Sequence, residues 1–385
     1  MAPPAPHHLW QRLRAALEYT RQAQGRPPDA AERRRFASSP QWDGTRFRNR
    51  VAQAPIVYSR IFYNVFFGRS RYASPHGEVP IQRLTAQDVA QLPASGLRAT
   101  WMGHSSTLLE IDGTRLLLDP VWSERASPFS FAGALRFHPV PLALEDLPPL
   151  DAVAISHAHY DHLDMLTIRR LRDRVPLWIV PLGVGSHLRH WGVDGQRIVE
   201  LDWWQSHSVG QVKVTAVPAR HDTGRSILFG DRKLTLWCAW AFQGPRHSAF
   251  FGGDSGLNDG YAEAGQRLGP FDLCLIEIGA YDPLWRDAHL GPEECVLAFR
   301  LTRGRLLVPV HWATFELAPH GWTEPIERFL VAAEQAGIRY TIPRPGQSVE
   351  LESPLLHERW WPDEPWLTAE QREVWSSGMD HLRGL

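Results

Sequence analysis

Ala154-Ile155-Ser156-His157-Ala158-His159-Tyr160-Asp161-His162-Leu163-Asp164 sets three histidines and an aspartate into six positions, directly after an apolar run. Asp151 to Ile155 reads as a short buried strand and Met165 to Leu171 as the start of a helix. The HxHxDH cluster therefore falls on a strand-to-helix loop, where two rigid elements can hold several side chains on one point. Imidazole suits zinc, copper, iron and nickel, and a carboxylate widens the choice, so this spacing is a metal-ligand pattern. Packing gives no reason for four such side chains in a row.

Working outward, the regularity repeats at longer range. Lys213 to Val217 reads as a strand running into His221, Ala249 to Gly252 as a strand opening into Asp254, and Leu306 to Pro309 as a strand ending at His311. Loops at one sheet edge can bring such residues together. Further strands are expected at Leu97–Met102, Thr107–Ile111, Arg115–Leu118, Leu177–Val180, Ile198–Glu200, Leu234–Phe242, Leu273–Ile278, Tyr340–Ile342 and Ser348–Leu351. Asp112-Gly113 marks a hairpin between the second and third of the chain's early strands. Helices are expected at Leu9–Gln24, Thr85–Gln91, Gly183–Trp191, Gly291–Leu301 and Pro325–Gln335. Trp122 to Pro149 is a long aromatic and proline-rich excursion of the kind that shapes a pocket mouth.

The chain of 385 residues can bury a large core. Cys238, Cys274 and Cys295 lack CxxC spacing, so neither a disulfide framework nor a thiolate zinc site is expected, and a reducing cytoplasm is the simplest setting. No secretory signal is read in Met1 to Gln11, and no run is long enough to span a bilayer. The net charge of −1 is unevenly spread: fifteen arginines against six carboxylates leave residues 1–100 at +9 and the remainder at −10. The basic N-terminal part favours an anionic partner or surface, whereas the main part argues against nucleic acid. Arg33-Arg34-Arg35 reads as a solvated arm. The aromatic run Ile56 to Phe67 either packs on the main domain or lies in a membrane interface. The expected division is a basic helical extension over 1–95, a main domain over 96–352 and a Trp-rich tail over 353–385 with no assigned structure.

The ordered set His157, His159, Asp161, His162, His221, Asp254 and His311 resembles the metallo-β-lactamase superfamily. Trp101 to Ser106, Leu118-Asp119-Pro120, Arg125 to Pro128, Asp151 to Asp164, Glu200 to Trp204, Phe251 to Gly256, Ile278 to Tyr281 and Pro309 to Trp312 narrow the resemblance to the N-acylphosphatidylethanolamine-hydrolysing phospholipase D family and its bacterial relatives. It covers roughly Arg46 to Glu350. The resemblance implies an α/β fold, the αβ/βα sandwich of two facing mixed β-sheets flanked by helices, with two zinc ions at one sheet edge. It implies that His157, His159 and His221 hold one metal, that Asp161, His162 and His311 hold the other, and that Asp254 bridges them. Iron or manganese remains open in place of zinc.

The resemblance also places a histidine near the site at His289, where Ala288 stands in place of the family's glutamine. Two metals would lower the pKa of a water held between them and neutralise a phosphodiester, setting up in-line attack on phosphorus. Asp161 and Asp254 are then part of the catalytic centre, and His289 is a candidate proton donor to the leaving alkoxide. Asp119, Glu277 and His104 are expected to support the ligands from behind. Trp122, Phe129, Phe131, Phe137, Trp203 and Trp204 are candidates for an apolar channel. The leading reading is a phospholipase D-type hydrolase that associates peripherally with an anionic membrane, and a homodimer is left open. A lactone or ester hydrolase with the same site, and a non-enzymatic metal-binding scaffold, are the alternatives.

Overall fold

The computed structural model describes residues 6–55 and 68–384, so the expectation attached to Ile56–Phe67 lies outside the described residues. Two sheets face each other. The first carries an antiparallel meander, β1 (Leu97–Gly103), β2 (Ser106–Ile111) and β3 (Thr114–Leu118), followed by parallel β6 (Ala152–Ala154), β7 (Trp178–Pro181) and β8 (Ile198–Leu201). A late strand, β15 (Ser348–Glu350), closes its other edge against β1. Between β3 and β6, the two-residue strands β4 (Arg125–Ala126) and β5 (Ala134–Leu135) form a small separate ribbon. The second sheet runs β9 (Ser206–Val209), β10 (Val212–Val217), β11 (Ala239–Gln243), β12 (Ser248–Phe251), β13 (Leu273–Glu277) and β14 (Leu307–Val310), antiparallel up to β12 and parallel beyond it.

Side chains that alternate along a strand separate the two hydrophobic layers. On β3, Leu116 and Leu118 enter the core between the sheets with Trp240 and Phe242, whereas Leu117 lies under the outer helices with Val153, Ile168 and Trp191. Those helices are α3 (Met165–Leu171) and α4 (Gly185–His190); α5 (Gly260–Arg267), α6 (Pro292–Leu301) and α7 (Glu324–Ala336) belong to the second half. The expected sandwich is therefore the observed one.

Several local expectations are corrected. Thr85–Gln91 is a turn and not a helix, closed by the Asp88 side chain accepting from Thr85 N at 2.7 Å. The apolar stretch Leu234–Phe242 becomes a strand only at Ala239. Leu236 N and Cys238 N donate instead to Leu182 O and Ser156 O, so the stretch is apolar because it crosses between layers. Strand β9, unread in the sequence, is a polar edge strand paired only with β10. Tyr340–Ile342 is reduced to one bridge, with Leu307. The Arg33-Arg34-Arg35 arm is ordered as the end of α2 (Ala30–Arg34) and a 3-10 turn, with Asp29 capping α2 and Phe36 buried behind it. The helix α1 (Pro6–Ala23) forms as expected, but Leu13 and Leu17 on its apolar side are exposed. The C-terminal segment has only one short 3-10 turn, yet Trp360, Trp361, Met379 and Leu382 are buried in the core.

Candidate metal centre

β6 ends at Ala154 and α3 begins at Met165, which places His157 to His162 on a short loop at the sheet edge. Asp164 caps α3 through Leu166 N and also accepts from Ser123 N at 3.0 Å, so one carboxylate fixes both the helix start and the crossing segment after Asp119. From the opposite sheet come His221 after β10, Asp254 after β12, Glu277 at the end of β13 and His311 after β14. Three residues here, His104 (φ 52°), Asp119 (φ 39°) and His311 (φ 66°), take left-handed backbone conformations. Non-glycine residues take such conformations at a cost that the surrounding structure must offset, and they concentrate at functional sites.

The ring nitrogens converge in two groups. His159 Nδ1 lies 3.0 Å from His157 Nε2 and 3.1 Å from His221 Nε2. His162 Nε2 lies 3.2 Å from His311 Nε2, and Asp161 Oδ2 is 3.4 Å and 3.5 Å from these two. Asp254 reaches both groups. Its Oδ2 is 3.1 Å from His162 Nε2, 3.7 Å from His157 Nε2 and 3.9 Å from His221 Nε2, while its Oδ1 is 3.1 Å from His311 Nε2.

Three imidazole nitrogens turned on one another cannot satisfy each other as donors and acceptors without protons between them. At zinc–nitrogen distances near 2.0–2.1 Å, ligand nitrogens of a tetrahedron stand roughly 3.3 Å apart, close to the spacing seen. The donor set therefore fits metal ions, and every candidate ligand read from the sequence belongs to it. His104 joins the second group through a 2.9 Å contact between its Nε2 and Asp161 Oδ2.

Electrostatics separates the two groups. Burial pushes His157 well below the ordinary imidazole range and His221 down to about 3, and lowers His159 as well, so these rings are neutral and ready to donate lone pairs. Burial also pulls on His162 and His311, but Asp254 and Asp161 overcome it, holding His162 well above its usual range and His311 at about 10. Despite burial, the same histidines keep both aspartates strongly acidic. Protons on two imidazoles balance the carboxylates here, and a bound cation would supply that charge in their place.

His157, His162 and His221 each have a hydrogen-bond partner that fixes the ring. His162 Nδ1 is 2.7 Å from Asp119 Oδ2, and the same carboxylate accepts from Ser156 Oγ, which lies 3.0 Å from His157 Nδ1. His221 Nδ1 donates to Ala288 O at 2.7 Å. The contact uses the backbone carbonyl, so the alanine at a position where the resembled family has glutamine leaves it intact. Glu277 lies 3.9 Å from His311 Nδ1 and 2.8 Å from His289 Nδ1, and accepts from Ser255 N at 2.6 Å. His159 faces Asp222 at 3.9 Å, and Arg232 holds Asp222 by a 2.9 Å bond.

Asn49 grips His221 at both ends of its backbone, accepting from His221 N (3.1 Å) and donating to His221 O (2.7 Å). Fully buried Arg225 donates to Ala158 O (2.8 Å), between His157 and His159, and to Leu163 O (2.9 Å), directly after His162, and stacks on Tyr160. Asp222, Asn49 and Arg225 were not singled out in the sequence. Asp222 had one signal, its place directly after His221; Asn49 acts on a residue 172 positions away and had none.

A cavity of about 300 Å³ adjoins His159, lined by Tyr160, Asp222, Arg225, Ile227 and Phe229 among others. Among the described residues, none of the six aromatics expected to form a channel lines it. Trp203 is buried with its Nε1 donating to Trp237 O and Phe131 is exposed, whereas Phe137 lines a small cavity with His311 and Trp122 lines a hollow next to Tyr19.

A family model described as a beta-lactamase superfamily domain matches residues 114–312. An uncharacterized protein of Mycobacterium tuberculosis is 49% identical over 297 residues, covering 76% of this chain and 78% of that relative. The N-acyl-phosphatidylethanolamine-hydrolyzing phospholipase D 1 of Caenorhabditis elegans is 39% identical over 258 residues, 64% of this chain and 70% of that relative. Among solved structures, an isothiocyanate hydrolase from Delia radicum gut bacteria superposes with a TM-score of 0.52 at 21% identity, over 66% of this chain and 98% of the other, a likeness of fold. The chain belongs to the metallo-β-lactamase superfamily and is a metal-dependent hydrolase of that fold. No helix among the described residues is long and apolar enough to cross a membrane.

Proposed function

We propose that this chain is a dinuclear zinc phosphodiesterase of phospholipase D type, cleaving N-acylphosphatidylethanolamine-like lipids to N-acylethanolamine and phosphatidic acid. The observation that carries the dinuclear reading is the reach of Asp254 to both histidine groups from one carboxylate. His157, His159 and His221 would hold one ion, Asp161, His162 and His311 the other, and Asp254 both. Two such ions supply an ionised water near neutral pH and neutralise a phosphodiester oxygen. The 39% identical relative named for this reaction supports the choice of substrate class.

The chain's own residues do the rest. Asp119 keeps His162 in one tautomer and orientation, and Ala288 O does the same for His221. His289, with Nδ1 on Glu277, has Nε2 left to deliver a proton to the departing alkoxide; despite burial, Glu277 raises its pKa, which favours the protonated form that the task needs. The cavity beside His159 offers apolar Ile227 and Phe229 to a chain.

The ligand set alone would also serve a lactone or other carboxylic ester. Elemental analysis of purified protein, with turnover of bis-p-nitrophenyl phosphate, N-acylphosphatidylethanolamine and an N-acyl lactone and His159→Ala as control, separates the two. About two zinc ions per chain and phosphodiester turnover lost in the variant are expected. Turnover of the lactone alone would transfer the site to esters.

A further inference from the structure

The face that α1 turns to solvent is not the one its composition leads one to expect. Ala16, Tyr19, Thr20 and Ala23 turn toward the domain, Ala23 completely buried. Trp10, Leu13 and Leu17 stand outward at helical spacing, Trp10 65% and Leu17 70% exposed. Arg14 and Arg21 follow Trp10 and Leu17 at four-residue steps and border the same stripe. An amphipathic helix with its apolar stripe in water and arginines beside it has the composition of an interfacial helix.

This helix is tied to the rim of the candidate site. Ala23 O accepts from Arg225 Nη2 at 2.7 Å, and Gln24 Oε1 accepts from Ile227 N at 3.0 Å. The loop so anchored carries Ile227, Leu228 and Phe229 in succession, with Leu228 88% and Phe229 68% exposed. Ile227 and Phe229 also line the cavity at His159, so the exposed apolar patch runs into the opening of the site. Cations outnumber carboxylates around it, although Arg21 is paired with Glu18, Arg170 with Glu145 and Arg232 with Asp222. Arg46, Arg232 and Lys233 line the hollow on the far side of Phe229, and Arg125 and Arg170 line the one between Tyr19 and Leu166.

Single exposed apolar side chains need no explanation, but clustered patches bordered by polar groups mark interaction sites. Here two chain segments far apart in sequence present protruding apolar tips with arginine around them, beside the mouth of one cavity. Protruding tips suit penetration into a fluid layer, and the basic border is complementary to anionic headgroups. We propose that the outer stripe of α1 and the 227–229 loop form a docking surface for an anionic lipid bilayer, so that a lipid passes from the membrane into the cavity at His159. The proposal deepens the lipid reading above and rests on it. It uses a helix outside the region of family resemblance.

The test is co-sedimentation with vesicles of phosphatidylcholine alone or mixed with phosphatidylglycerol, for the wild type, Leu17→Asp, Leu228→Asp and the double variant. The wild type is expected to bind the mixed vesicles, less at high salt, and the double variant to bind roughly tenfold more weakly. Turnover of soluble bis-p-nitrophenyl phosphate by the double variant, within twofold or so of wild type, verifies folding and keeps the assignment of the site apart from that of the surface. Wild-type-like vesicle binding by the double variant, or no vesicle binding by the wild type, overturns the proposal. A wild-type dimer that the double variant breaks, without vesicle binding, overturns it in favour of a second copy on this face.

Discussion

The two halves of the sandwich reach the candidate metal centre in different ways. The first sheet delivers His157, His159, Asp161 and His162 from one loop, whereas the second delivers His221, Asp254 and His311 singly, each from the end of a different strand. A crowded loop is positioned once. Here Arg225 clasps it at Ala158 and Leu163, Asp164 pins its exit, and the end of α1 supplies a carbonyl to the same guanidinium. Separate strand ends must each be positioned.

The C-terminal segment does much of that second task. Ser377 O accepts from Arg220, next to His221, at 2.9 Å. Ser376 Oγ accepts from Leu257 N, beyond Asp254, at 2.9 Å, and Trp360 packs on Trp312, next to His311, at 4.9 Å between centroids. The end of α1 thus braces the crowded ligands through Arg225, and the C-terminal segment, together with Asn49 at His221, braces the dispersed ones. Local spacing can be held by one clasp, and dispersed ligands need a scaffold that touches each.

Four experiments would break or sharpen this contrast. The largest effect is expected for Asp254→Ala, which touches both groups. It should lower metal content and reduce turnover by more than the roughly 10–100-fold typical of outer-shell partners. Asp119→Asn, which serves His162 directly and His157 through Ser156, should fall within that roughly 10–100-fold range, with metal retained more weakly under chelator titration. A variant with unchanged metal affinity would remove Asp119 from the support of the crowded loop.

Arg225→Met and Trp361→Ala compare the braces. The first strips donors from three buried carbonyls and should cost about 3 kcal/mol in denaturant unfolding. The second empties a buried indole site beside Trp312 and should cost about 3–5 kcal/mol. Metal loss at a given chelator concentration should accompany both; a stable, metal-replete Trp361→Ala protein would show that the dispersed ligands hold themselves.

The smallest effect concerns Glu294, whose carboxylate accepts from Ser376 N at 2.6 Å and so ties the C-terminal segment to α6. Burial raises its pKa to about 7 from an ordinary value of 4.5. The folded state then binds a proton that the unfolded state has released, so this group's contribution to stability falls as pH rises between those values. The drop across that window is about 3 kcal/mol. Glu294→Gln should flatten the slope of stability with pH there, and an unchanged slope would locate the titration elsewhere.

Legibility in the sequence followed the same division. The HxHxDH loop declared itself because its ligands are neighbours, and the strand ends at His221, Asp254 and His311 were readable because each follows an apolar run. Thr85–Gln91 misled because the Asp88 side chain closing on Thr85 N resembles a helix cap while serving an isolated turn. Leu234–Phe242 misled because hydrophobicity reports burial and not strand pairing. The aromatic candidates divided for the same reason, since Trp203, buried in the core, and Phe137, which lines a small cavity with His311, are equally apolar in the sequence.

The sequence by itself determined most of the strands, through apolar runs bounded by turn signals, and the identity of the candidate ligands, through residue type and place, while the sandwich was what the family resemblance of those motifs implied. Only the tertiary structure decided that Asn49, Asp222 and Arg225 hold the ligands, that the C-terminal segment braces the second half, and that α1 turns its apolar stripe to solvent. The first set depends on periodicity and residue chemistry, which are local. The second depends on contacts between segments far apart in sequence, which the packing of two sheets alone brings together.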